Sequence, residues 1–109
     1  MKIIKYIIIF TLNITFLKAQ CEDLTYGCDT VTTNNNLSNY TEYYKQKSFK
    51  DAFGPWKWLV DNAPQRTKNL YIHGPKILRG LIEQTEDLVR KKELIDLLIN
   101  IYDIRLNNL

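Results

Sequence analysis

Apolar residues recur at threes and fours along most of this chain, and the pattern runs straight through two Gly-Pro pairs. Phe49, Ala52, Phe53, Trp56, Leu59 and Val60 form one series across Gly54-Pro55. Leu70, Tyr71, Gly74, Ile77, Leu78, Leu81 and Ile82 form another across Gly74-Pro75. Such spacing marks one face of an amphipathic helix. A proline inside a helix removes the bond to the carbonyl four residues back and costs about 3 kcal/mol. Pattern and breaker together predict, at each pair, either a bend or a helix that begins late, near the glycine.

The remaining segments are placed around these two. Tyr40, Tyr43 and Tyr44 share a face of a first helix running from about Leu37 to near Lys47. Ser48, with Asp51 three residues on, resembles a capping box and starts the second helix at Phe49, which Pro64 closes. Thr67 is a candidate N-cap for a third helix within residues 66–87. A fourth covers about 88–107 and is unusually apolar, its Leu94, Ile95, Leu97, Leu98, Ile99, Ile101, Tyr102, Ile104 and Leu106 covering more than one face. A helix of that kind expects neighbours on both sides. Residues 29–39, DTVTTNNNLSN, are polar with no apolar period and read as a linker.

The first twenty residues have a different character. Lys2 and Lys5 precede an apolar run from Tyr6 to Phe16, and Ala19 offers a small residue at a cleavage site. This is the pattern of a secretory signal peptide. The run is interrupted by Thr11, Asn13 and Thr15 and is shorter than the roughly 20 apolar residues a membrane span needs. The expected location is therefore exported, periplasmic or extracellular, with no stable membrane span after cleavage. Three of the chain's 15 basic residues, Lys2, Lys5 and Lys18, lie in this leader, which has no acid. Residues 21–109 hold 12 basic against 12 acidic residues. The electrostatic footprint of a nucleic-acid binder is missing, so no nucleic-acid partner is expected.

Cys21 and Cys28, in CEDLTYGC, lie just beyond the leader. In an exported chain the default reading is a local disulfide. Lipidation of Cys21 is an alternative, which Lys18 and Gln20 fit poorly, and a metal site would need more ligands than two thiols. The chain thus divides into a signal peptide (1–20), a cysteine-containing segment with a polar linker (21–37), a helical hairpin (38–64) and a second helical pair (65–109). The expected fold class is all-α, built from antiparallel helix pairs.

The spacing of Tyr43, Phe49, Ala52, Trp56 and Pro64 resembles the tetratricopeptide (TPR) repeat. In that register Tyr43 takes the buried tyrosine of the first helix and Phe49 the aromatic opening the second. Ala52 takes the small residue where the helices touch, Trp56 the large aromatic, and Pro64 the terminal proline. Asn36 stands where the repeat usually has tryptophan, and Tyr40 where it has glycine. The wider stretch through Tyr102-Asp103-Ile104-Arg105 resembles the N-terminal region of exported TPR proteins of Bacteroidetes-type bacteria, over about residues 37–107. The resemblance implies TPR-like hairpins starting a right-handed α-solenoid, and a surface that binds proteins or peptides.

Little in the chain points to catalysis. His73 is the sole histidine and has no spaced partner. Glu83, Glu86 and Asp87 read as a solvated turn that caps the fourth helix, and Lys57 between Trp56 and Trp58 as a cation–π donor. No phosphate loop or nucleophile elbow occurs, and no cofactor or metal is expected. The leading expectation is a non-catalytic interaction or scaffold module whose exposed candidates are Tyr40, Tyr44, Lys47 and Trp58. Self-association through the fourth helix is a further expectation. The alternatives are a truncated remnant of a larger repeat scaffold, or a small secreted enzyme or toxin.

Overall fold

The computed structural model describes residues 28–108. The leader and Cys21 lie outside the described residues, as do the signal-peptide and lipidation expectations that rest on them. Cys28 is disulfide-bonded.

The described chain folds into four α-helices: α1 (Thr30–Lys45), α2 (Phe49–Asn62), α3 (Asn69–Gln84) and α4 (Leu88–Asn108). No strand occurs among the described residues. Each helix packs mainly on its neighbours in sequence. The joining segments are short, and contacts at both ends show that successive helices reverse direction. Tyr44 meets Phe49 across the α1–α2 turn, while at the far end Arg66, just past α2, donates to Asn34 of α1 at 3.0 Å. On α3, Gly80 faces Phe49 and Gly74 faces Trp56, so the contact order of α2 is inverted along α3.

The polar stretch 29–39 is not a linker but the first half of α1. Asp29 caps it. One carboxylate oxygen accepts from the Thr32 amide at 3.0 Å and the other from the Thr32 hydroxyl at 2.6 Å. The cap satisfies an amide that would otherwise be left orphaned at a helix start. These bonds to the ionised form hold the Asp29 carboxyl below its usual range, the side-chain bond from Thr32 first. Thr33, Leu37 and Tyr40 supply the inward face at spacings of four and three.

The α1–α2 turn is a Schellman motif. The Ser48 amide donates to the Tyr43 carbonyl at 2.9 Å and the Lys47 amide to the Tyr44 carbonyl at 3.0 Å. Lys47 sits between them at φ 59, the left-handed region. Ser48 does not form the expected capping box. Its hydroxyl donates to the Asp51 carboxylate at 2.6 Å and caps no amide.

Both Gly-Pro pairs lie inside continuous helices, which corrects the expectation of a helix that begins late, near the glycine. Proline disfavours helical geometry in the residue before it, because its Cδ crowds that residue's Cβ. Glycine has no Cβ, so Gly54 and Gly74 let the helix continue into Pro55 and Pro75. Likewise α3 begins at Asn69, and Thr67 offers only a 3.3 Å contact from its hydroxyl oxygen to the Asn69 amide. Asp87 caps α4 as expected, accepting from the Val89 amide at 3.1 Å.

The core runs along the seams between these helices. Trp56, Leu59, Leu70, Ile77, Leu78, Leu94 and Ile101 are fully or nearly buried. Burial of each aliphatic side chain here stabilises the fold by about 1.5–3 kcal/mol. Trp56 is also pinned by polarity, its Nε1 donating to the Leu70 carbonyl at 2.7 Å. Pro64 lies in the α2–α3 turn, where its carbonyl accepts from the Tyr71 hydroxyl at 2.6 Å.

Candidate functional site

The residues expected to face a partner divide in the structure. Tyr40 is 1 % exposed and belongs to the core. Tyr43, expected inside, is 38 % exposed. The inward stripe of α1 is thus set by Thr33, Leu37, Tyr40 and Tyr44, and Tyr43 lies to its side. Trp58 is half-buried and packs against the core. Lys47 is exposed, and its backbone closes the turn. Lys57 forms an ion pair with Asp61 at 2.7 Å, one helical turn on, in place of the expected cation–π contact.

Two arrangements remain that sequence spacing did not reveal. The first joins α1 to α3. His73 stacks on Tyr44, with ring centroids 4.0 Å apart and planes 17° from parallel. The Tyr40 hydroxyl lies 3.3 Å from His73 Nδ1. Burial is the main cause that lowers the imidazole pKa from 6.5, and the nearby Lys76 charge adds to it. Burial also raises the Tyr40 phenol. Both shifts favour a neutral phenol donating to a neutral imidazole. This cluster is a polar rivet between two helices. Among the described residues no carboxylate is hydrogen-bonded to His73, whose partner is the Tyr40 hydroxyl.

The second is a cleft of about 370 Å³ where α2, the end of α3 and the start of α4 meet. Helical spacing builds each wall. Lys50 and Phe53 come from adjacent turns of α2, Leu81 and Gln84 from the last turns of α3, and Arg90 and Leu94 from α4, one turn apart. The Arg90 guanidinium lies over the Phe53 ring, 5.3 Å from its centroid, and bonds Glu93 at 3.1 Å. Phe53, Leu81 and Leu94 give the cleft an apolar floor, and Lys50 and Arg90 place two cations at its rim. No carboxylate lines it. Its volume falls within the range of small-ligand and peptide-side-chain pockets.

Among the described residues no group of three or more His, Cys, Asp or Glu side chains is placed to hold a metal ion, and no helix is long and apolar enough to cross a membrane. Compared with known protein families, curated proteins and solved structures, the chain matches none.

Proposed function

We propose that this chain is a non-catalytic, exported helical-repeat module that binds a protein or peptide partner. The two helical pairs, α1–α2 and α3–α4, are read as TPR-like hairpins beginning a solenoid. Helix-to-neighbour packing supports this reading, because repeat proteins gain their stability from contacts between adjacent units. Ala52, Trp56 and Pro64 support it further: the first two are buried in the core, and the third lies in the turn after α2.

The observation that carries the binding function is the cleft lined by Lys50, Phe53, Leu81, Arg90 and Leu94. Two cations over an apolar floor, Lys50 and the Glu93-paired Arg90, suit a peptide segment that sets a carboxylate beside an apolar side chain. A chain end with a free carboxylate and a terminal leucine has that chemistry. The cations would steer and orient it, and the apolar floor would hold it.

The test is titration of the protein with an acetylated pentapeptide ending in leucine, as free acid and as amide, monitored by amide chemical shifts. The free acid should perturb residues around Phe53, Leu81 and Leu94, and the amide should not. Lys50→Ala and Arg90→Ala should each weaken binding by roughly tenfold, the size of one lost charge-assisted contact. Equal binding of acid and amide, or shifts confined to the Tyr44–His73 face, would sink the proposal.

A further inference from the structure

Helix α4 has two apolar faces. The inner one, through Leu94 and Ile101, is buried. On the outer one Leu88, Ile95, Ile99 and Leu106 are 80, 39, 53 and 82 % exposed. At about 100° per residue these four side chains fall within about 20° of a single line along the helix. The stripe is therefore straight and open to solvent, with a gap of about two turns on each side of the central Ile95–Ile99 pair.

Its order along the helix is symmetric. Leu88 and Leu106 are equally far from residue 97, and so are Ile95 and Ile99. A stripe that reads the same in both directions matches a second copy of itself running antiparallel, with leucine meeting leucine at the ends and isoleucine meeting isoleucine at the centre. A two-fold axis through that centre gives a closed, isologous contact.

Two of the flanking charges, Lys92 and Asp103, follow the same symmetry, while Asp96, exposed at about 80° on their side of the stripe, would lie near its own copy at the axis. Lys92 and Asp103 lie on the same side of the stripe, at about 40° and 60° from its line. Both are exposed, and neither forms an ion pair among the described residues. They lie five and six residues from the centre in opposite directions along the helix. In the antiparallel pair that relation sets Lys92 of one chain beside Asp103 of the other, twice. A parallel two-fold pair would instead put the two copies of each residue on opposite sides of the seam, and Lys92 would meet no Asp103. We infer that the outer face of α4 is a homodimer interface, antiparallel about residue 97. This is separate from the cleft, which lies on the other side of α4's first turns.

The experiment measures the solution mass of the full gene product, as its host processes it, by light scattering on a sizing column. Concentrations reach the order of 100 µM, because a stripe four side chains long sits at the small end of interface sizes. The expected mass is two chains. Ile99→Glu should give one chain with its helical circular dichroism unchanged, since Ile99 is outside the core. Lys92→Asp should weaken the dimer roughly tenfold by facing acid with acid, and Lys92→Asp with Asp103→Lys should restore it. A monomer at every concentration would overturn the inference and leave the face to a different partner. So would a higher oligomer, a dimer indifferent to Ile99→Glu, or a charge-swapped double variant that fails to recover.

Discussion

Lys47 holds a backbone conformation that side chains disfavour. At φ 59 its Cβ crowds the following carbonyl, a cost of about 1–2 kcal/mol that glycine escapes. The position is nonetheless fixed, because the two Schellman bonds, from Lys47 and Ser48 back to Tyr44 and Tyr43, require it. Lys47→Gly should therefore stabilise the fold, by about 0.5–1 kcal/mol once the extra entropy of an unfolded glycine is subtracted. The midpoint of urea unfolding reads this directly. A loss of stability would show that the lysine side chain makes a contact worth more than the strain. The sequence marks this turn only weakly, since the usual glycine or asparagine signal of a helix end is absent. A lysine there reads as an ordinary exposed cation, which is why sequence alone makes it a partner-binding candidate.

At the scale of helices, the two Gly-Pro pairs look alike in sequence but differ in structure. A Cβ on Gly54 would meet nothing within 4 Å beyond its immediate chain neighbours, whereas one on Gly74 would lie 2.5 Å from Trp56 Cζ2. Trp56 cannot step aside, being fully buried and hydrogen-bonded to the Leu70 carbonyl. Gly74→Ala should then destabilise by about 1–3 kcal/mol, the cost of overpacking a filled core. Gly54→Ala should stay within about 0.5 kcal/mol of the parent, because the helix-propensity gain of alanine offsets its crowding by Pro55. Equal losses in urea melts of the two variants would mean that the following proline, and not the Trp56 contact, governs both. The apolar period made α2, α3 and α4 legible, because Trp56, Leu59, Ile77 and Leu78 repeat at helical spacing. It could not show α1's first half, whose stability comes from the Asp29 cap and the reach of Arg66 to Asn34. Nor could it show the cleft, since Lys50, Leu81 and Arg90 become neighbours only once three helices have packed.

Across the whole molecule, packing between chain neighbours makes stability uneven. The middle helices α2 and α3 each pack extensively on two neighbours, while α1 packs extensively on α2 alone and α4 on α3 alone, with smaller contacts from α1 to α3 and from α4 to α2. Of the largest fully buried side chains, Trp56, Leu59, Leu70, Ile77 and Leu78 lie in that middle pair, against Tyr40 on α1 and Leu94 and Ile101 on α4. The first turns of α1 contribute one buried residue, Thr33, whose hydroxyl has no hydrogen-bond partner among the described residues. Such a group weakens the segment that buries it, by about 1–3 kcal/mol. In a quasi-linear array, opening begins at the ends and costs least where the fewest apolar contacts are lost. Amide hydrogen exchange should therefore be slowest in the centres of α2 and α3, including the amides of Leu59, Ile77 and Leu78. It should be faster by roughly tenfold or more in residues 30–36, where opening forfeits only the Asp29 cap, Thr33 and the Arg66 contact. Protection of α4 discriminates further. If its outer stripe pairs with a second copy, exchange near Ile95 and Ile99 should slow as protein concentration rises, while residues 30–36 stay unchanged. Uniform protection along all four helices would instead mark a single cooperative unit and exclude a repeat-like distribution of stability.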